Sequence, residues 1–203
     1  WPALPDGTFP TYARDTADAL EPVQINVNQL SGEPTTQVSL GVNLPASETA
    51  SDADGAMQEL SIEYFDNLGT SQNLDITFTP TLPASGSSNE WTMTIMDGAS
   101  GGTVVGEYTL TFDDSRASGG TLASVTAVSG GAYDGATGKF TINVAGGPIE
   151  FDSGALGSAS GMTQLSDDFA PLSISKDGYE IGNVTSVEVD ENGTVFALYD
   201  TGI

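Results

Sequence analysis

From Thr35 to Phe151 the apolar residues fall on every second position, and that period constrains the fold more than any other feature of the chain. Val38, Leu40, Val42 and Leu44 share one parity in a run closed by Pro45. Leu60, Ile62 and Tyr64 repeat it, as do Leu74, Ile76 and Phe78, then Trp91, Met93 and Ile95. Tyr108, Leu110 and Phe112 follow, then Leu122 to Val128, Phe140 with Ile142 and Val144, and Ile149 to Phe151. Successive side chains of a strand point to opposite faces, so each run offers one face to a core and one to water. The runs are about five to seven residues long and are bounded by Gly, Asp, Asn or Pro, as in antiparallel sheets. No amphipathic helix of useful length competes. The pattern predicts an all-β chain, sandwich-like or barrel-like, with Greek-key or meander connections.

The flanks break this regularity. Residues 1–34 read as a turn-rich segment anchored by Trp1, Phe9 and Tyr12, with a turn of helix at Asp15 to Glu21 and a short strand at Val23, Ile25 and Val27 that Ser31 to Pro34 interrupts. Residues 154–171 are small and polar and read as a return segment, with Met162, Leu165 and Phe169 as anchors. Beyond it, Gly178 to Gly202 contains a hairpin. Val187 and Val189 alternate with polar residues, Asp190-Glu191-Asn192-Gly193 supplies the turn, with Asn192 and Gly193 best suited to φ > 0, and Thr194 to Tyr199 is the second strand. We therefore expect two β domains: an outer one, 35–171, inserted into a smaller discontinuous one made of 1–34 and 172–203 that includes Leu172 and Ile174.

With no cysteine and no histidine, the chain forgoes disulfides, thiolate nucleophiles, imidazole bases and the two commonest zinc ligands. It carries 28 acidic residues against 4 basic ones, a net charge of −24. Binding nucleic acid rests on Lys and Arg neutralising phosphates, and an anionic membrane surface repels the same charge, so neither is expected as a partner. No apolar run approaches the roughly 18 residues of a membrane span, and no basic n-region opens the chain. The sequence starts at Trp1 and ends directly after the hairpin, so it is expected to be a piece of a longer protein.

Sharper chemistry finds little support. Asp52-Ala53-Asp54-Gly55 and Asp190-Glu191-Asn192-Gly193 contain fragments of a calcium loop but lack its full ligand spacing and its downstream bidentate Glu, so turns rather than a metal site are expected. Asp113-Asp114 and Asp167-Asp168 offer carboxylate pairs of the kind glycosidases use, yet no positioned nucleophile or oxyanion signature accompanies them. No catalytic residue and no cofactor is expected. Tyr64, Trp91, Tyr108 and Phe112 would suit a sugar-binding face, but they share the parity of Leu, Ile and Met in their strands, which places them in the core. Arg14, Arg116, Lys139 and Lys176 are the cations, each available for a subunit contact or an internal ion pair. A secreted, non-enzymatic β-sandwich module that binds carbohydrate, calcium or a surface fits these readings.

Several stretches in order carry a more specific resemblance. Gly178-Tyr179-Glu180-Ile181-Gly182, the Val187/Val189 strand, Asp190 to Val195 and Tyr199 to Gly202 resemble the hairpin of bacterial flagellar hook proteins and their axial rod relatives. Tyr64 to Gly69 with Leu74, Phe78 and Asn89-Glu90-Trp91 resembles the outer β domain of hook subunits, and Trp1-Pro2-Ala3 the start of their inner one. The resemblance implies a structural subunit of the hook, the curved extracellular tube that joins motor to filament as a universal joint. It also implies export through the flagellar apparatus and contact with other hook subunits, the hook cap and the hook-filament junction proteins. The helical termini of the family are absent from this sequence, so the isolated chain is expected to be a monomer.

Overall fold

The two-residue period becomes strands wherever it is strongest. The structure, a computed structural model, describes residues 31–192 and 194–200. In chain order its strands are β1 (Ser31–Glu33), β2 (Gln37–Pro45), β3 (Gln58–Phe65), β4 (Ser71–Pro80), β5 (Glu90–Asp97), β6 (Thr103–Phe112) and β7 (Leu122–Ser129). They continue as β8 (Lys139–Val144), β9 (Gly147–Asp152), β10 (Thr163–Leu165), β11 (Ala170–Lys176), β12 (Tyr179–Gly182), β13 (Val184–Val189) and β14 (Val195–Tyr199). Helical structure among the described residues is confined to 3-10 turns at Ala46–Thr49 and Gly98–Ser100.

Strands β3 to β7 form an antiparallel meander of five, each paired with the next in sequence. The second large sheet is built around β2. Its first residues pair in parallel with β9, its last in parallel with β10, and β11 runs antiparallel along the opposite edge, while β8 and β9 form a hairpin. Two smaller ladders, β1 with β12 and β13 with β14, complete the described chain.

The inner faces of both large sheets close on one apolar cluster in which Trp91, Tyr64, Tyr108, Phe78 and Phe151 are the largest fully buried side chains. Phe140 bridges the sheets, 4.4 Å from the Tyr108 ring and 5.3 Å from Phe151. Each such side chain contributes about 1.5–3 kcal/mol by leaving water. Strand β2 is buried on both faces, because the return segment crosses its outer side. Gly41 leaves room for that crossing, since a Cβ there would lie 3.3 Å from the carbonyls of Gly161 and Ser173.

Two buried amides hold the return segment. Asn43 accepts from the Thr163 hydroxyl at 3.1 Å and the Leu165 N–H at 3.0 Å, and its Nδ2 donates to the carbonyls of Asp167 and Asp168. Gln164 accepts from the Trp91 indole N–H at 2.9 Å and donates to Asn89 Oδ1 at 2.9 Å. Buried amides are costly unless paired, and pairing these two requires residues 163–168 to lie where they do.

Several expectations are corrected. Leu165 is half exposed at 50%, and the adjacent Gln164 is the buried anchor, because β10 turns that side chain toward Trp91. Leu172 and Ile174 lie on β11, which pairs with β2. Ser31 to Glu33 is a short strand and not a break, its Gly32 lying so close to Ile181 that a Cβ would approach to 2.7 Å. Asn192 does not adopt φ > 0; among the described non-glycine residues only Asn89 does, at φ 52°. Gly193, the strand at Val23 to Val27, the helical turn at Asp15 to Glu21 and the anchors Trp1, Phe9 and Tyr12 lie outside the described residues.

The Trp91–Gln164 pair separates packing from hydrogen bonding. Trp91→Ala should lower the unfolding free energy by about 3–5 kcal/mol, and Trp91→Phe, which keeps a ring but leaves Gln164 Oε1 without its donor, by about 1–3 kcal/mol. Denaturant unfolding followed by circular dichroism measures both, and losses below about 0.5 kcal/mol in both would show that this contact does not hold the return segment.

Candidate functional site at the junction with the terminal strands

Polar side chains concentrate where the two large sheets meet the β1–β12 ladder. The connectors on either side of that ladder, 34–37 and 176–178, run together. Asp177 accepts from the Thr36 N–H at 2.8 Å, the Thr36 hydroxyl at 2.6 Å and the Gln37 N–H at 2.9 Å. Burial alone would raise the Asp177 carboxyl, but the Thr36 and Gln37 donors outweigh it and hold the group below the usual carboxylate range. Gly178 packs against Thr35 so closely that no side chain would fit. Thr35 in turn exchanges bonds with β3: its N–H donates to the Phe65 carbonyl at 2.9 Å and its hydroxyl accepts the Phe65 N–H at 3.0 Å. Lys176 reaches Glu63 at 2.8 Å and lies 3.9 Å from the centre of the Phe65 ring, tying β11 to β3.

Asp97, fully buried at the end of β5, is the other centre of this region. One oxygen accepts from the Tyr64 hydroxyl at 2.7 Å and the Ala99 N–H at 3.0 Å; the other accepts from the Ser100 hydroxyl at 2.5 Å and the Ala145 N–H at 2.9 Å. Tyr64 belongs to the meander and Ala145 to the β8–β9 turn, so one carboxylate joins both sheets. Burial raises its proton affinity, yet the donors win and its pKa lies below the usual value. Burial, with Asp97 as its acceptor, raises the Tyr64 phenol well above its ordinary value, keeping it a donor. Nearby, Asp66 shapes the β3–β4 turn by accepting from the Leu68 and Thr70 N–H groups. In the same turn Asn67 donates to the Gly146 carbonyl at 2.6 Å, and Gly69 packs against Ile181 of β12.

The residues weighed for chemistry make the following contacts among the described residues. Asp52 and Asp54 lie in a loop, and no group of three or more acidic side chains among the described residues is placed to hold a metal ion. Asp190 accepts from the Asn192 and Thr194 N–H groups across the hairpin turn. Asp113 accepts from the Ser115 N–H, and Asp114 from the Asn89 amide at 3.4 Å. Asp167 and Asp168 engage Asn43 through their carbonyls. Tyr64, Trp91, Tyr108 and Phe112 are all in the core. Lys139 pairs with Glu150 at 2.6 Å and Lys176 with Glu63; Arg116 has no ion-pair partner among the described residues, and Arg14 lies outside them. Asn43, Gln164 and Asp177 were not singled out by the sequence reading. Only Asp177-Gly178 carried a local signal, as a turn pair before a strand.

The span from 34 to 179, closed by the Asp177 latch, is matched by the family model described as flagellar basal body protein FlaE D2 domain. The chain belongs to the flagellar hook protein family through this domain. The flagellar hook protein FlgE of Brucella abortus is 27% identical over 190 residues, covering 92% of this chain and 41% of that protein. The flagellar hook protein FlgE of Rhizobium meliloti is 29% identical over 200 residues, covering 97% of this chain and 44% of that protein. A crystal structure of the Helicobacter pylori flagellar hook protein FlgE2 aligns with a TM-score of 0.46 at 15% identity, over 72% of this chain and 30% of that one. The chain thus spans less than half the length of the curated hook proteins it matches.

The carboxylates of this FlaE D2 domain set its acid response. Asp97 and Asp177 have depressed folded values, so their contribution is complete above the unfolded carboxylate value of about 3.9 and is lost as pH falls through the folded values. We expect melting temperature to drop below about pH 4. Asp97→Asn should be less stable at neutral pH and respond less steeply to acid. An unchanged acid limb in that variant, followed by thermal circular dichroism, would exclude Asp97 as a contributor.

Proposed function

We propose that this chain is the β-structured part of a structural, non-enzymatic subunit of the flagellar hook, polymerised with other copies into the curved extracellular tube between motor and filament. The observation that carries the reading is the FlaE D2 match over 34–179, whose ends coincide with the latched connectors. In this reading the subunit leaves the cell through the flagellar export apparatus and meets hook cap and hook-filament junction proteins. A sugar-binding sandwich is not favoured, because the aromatic residues that would form its face are buried.

We further propose that the chain comprises two units, the second boundary lying at Asp177 rather than Pro171 because β11 pairs with β2. The smaller unit would combine residues 1–30 with β1 and the strands after Asp177. Support comes from the β13–β14 hairpin, which leaves Val189 at 65% and Phe196 at 51% exposed among the described residues. A two-stranded ladder with apolar side chains on both faces needs further cover to be stable.

Two measurements test the reading. Placed as two bodies into a helical hook reconstruction, the 34–179 unit should occupy the outer density and the terminal strands should face the tube's inner wall; a placement with the D2 unit inside would defeat it. The surface charge makes a second test. With a net charge of −24, like-charge repulsion should be relieved by salt. Melting temperature should rise from low to moderate ionic strength, and a flat or falling response would exclude self-repulsion as a significant cost.

A further inference from the structure

The meander has two edges of different character. Strand β3 carries Glu59 and Glu63, whereas β7 carries no charged residue, and none occurs anywhere from 117 to 133 in a chain with 28 acidic residues. Strand β7 pairs with β6 on one side. On the other, loop contacts close only its ends, where the Gly157 N–H donates to the Leu122 carbonyl and the Gly131 N–H to the Thr141 carbonyl. Between them, Ser124 to Ala127 keep a regular register with β6 and no outer backbone partner among the described residues. Ser124, Thr126 and Ala127 are exposed, and Val128 is 62% exposed. Proteins commonly blunt such edges with charge or proline, because an open ladder recruits another strand; this one is bare along its centre.

The loop entering β7 carries one cation, Arg116, beside Asp113 and Asp114. Arg116 is exposed and has no ion-pair partner among the described residues, while Lys139 and Lys176 are paired internally. Its loop is held by the Ser115 N–H to Asp113 at 2.6 Å, the Gly120 N–H to the Asp113 carbonyl at 2.7 Å and the Ser118 N–H to Ser115 Oγ at 3.3 Å. Strands β3 and β7, first and last of an antiparallel five, run in the same direction, so their N-terminal ends lie at the same end of the sheet. Glu59, exposed near the start of β3, has no ion-pair partner among the described residues.

We propose that the β7 edge of one copy adds in parallel to the β3 edge of a second copy, continuing the meander from subunit to subunit with Arg116 facing Glu59. The proposal rests on the polymer-subunit reading and names one of its contact surfaces. A second copy is the occupant because every copy offers the exposed Glu59, without an ion-pair partner among the described residues, on a β3 edge that Thr35 closes at Phe65. Every copy also carries its one unpaired described cation, Arg116, at the head of the bare β7 edge, the neighbouring Asp113 and Asp114 being engaged by Ser115 and Asn89. The contact joins two different surfaces, so it repeats rather than closing at a dimer. It is weak between copies that repel each other overall, so the isolated chain remains a monomer at micromolar concentration and pairs only at millimolar concentration and moderate salt.

The absence of cysteine gives a background-free test. Ser61 on β3 and Thr126 on β7 are both exposed, so S61C, T126C and the double variant keep the core intact. With a short bismaleimide at millimolar protein, the double variant should form a ladder of covalent oligomers, and neither single variant should. Adding R116E should reduce ladder yield about two- to fivefold or more, the loss an exposed ion pair commands. K139E, which changes net charge equally, should reduce it less. Dimers from T126C alone would mean that β7 pairs with itself and would overturn the proposal, as would the absence of a ladder or equal losses in R116E and K139E. A ladder from a chain that cannot be placed in a hook reconstruction would defeat the hook reading and leave the edge contact standing; good placement without a ladder would do the reverse.

Discussion

A carboxylate with no cation beside it lies at the point where the two sheets of this domain meet. Asp97 is wholly buried, and its charge is carried by two hydroxyls and two backbone N–H groups drawn from β3, the 3-10 turn after β5 and the β8–β9 turn. Apolar packing between the sheets is non-directional and tolerates sliding; four donors converging on two oxygens do not. Losing the carboxylate would strand the Tyr64 hydroxyl and the Ala145 N–H in a place water does not reach, at about 1–3 kcal/mol for each. The core supplies most of the favourable energy, and Asp97 fixes the sheets' register against each other.

The same use of aspartate recurs along the chain and changes the meaning of its charge. Asp66, Asp97, Asp113, Asp134, Asp152 and Asp190 each accept from the N–H two residues further on. Each satisfies a backbone donor that a tight turn would otherwise leave unpaired. A meander of short strands needs many turns, and the chain makes several of them with Asp. Part of the −24 net charge is therefore a by-product of turn construction, and the repulsion it creates is the cost of that solution.

The strand layout was legible because alternation is a local property. Val38 to Leu44, Tyr64, Trp91 and Tyr108 are buried where their parity put them. The buried amides were not legible. Asn43 and Gln164 look like ordinary polar residues until Thr163, Leu165 and Trp91 are brought beside them by contacts more than 70 residues apart in the chain. Leu165 was misread for a related reason: in a three-residue strand, periodicity carries no phase, and hydrophobicity alone selects the wrong neighbour. The residues of β11 follow a stretch, 154–171, that has lost alternation, so no local signal links them to β2; Pro171 itself is compatible with an edge strand, which β11 is. The junction was the hardest to see, since the Asp177 latch spans 141 residues and has no motif of its own.

Among the described residues the most constrained polar contacts outside the core fall on connections. The domain is tied at one end to the terminal strands by Thr35, Thr36, Asp177 and Gly178, contacts that leave little freedom at the connectors themselves. Local opening starts where contacts are few, so connectors tied in this way resist it. Asp177 reaches back 141 residues to Thr36, so directional hydrogen bonds rather than apolar packing define this boundary, and a one-residue slip at either connector would leave their donors without the carboxylate.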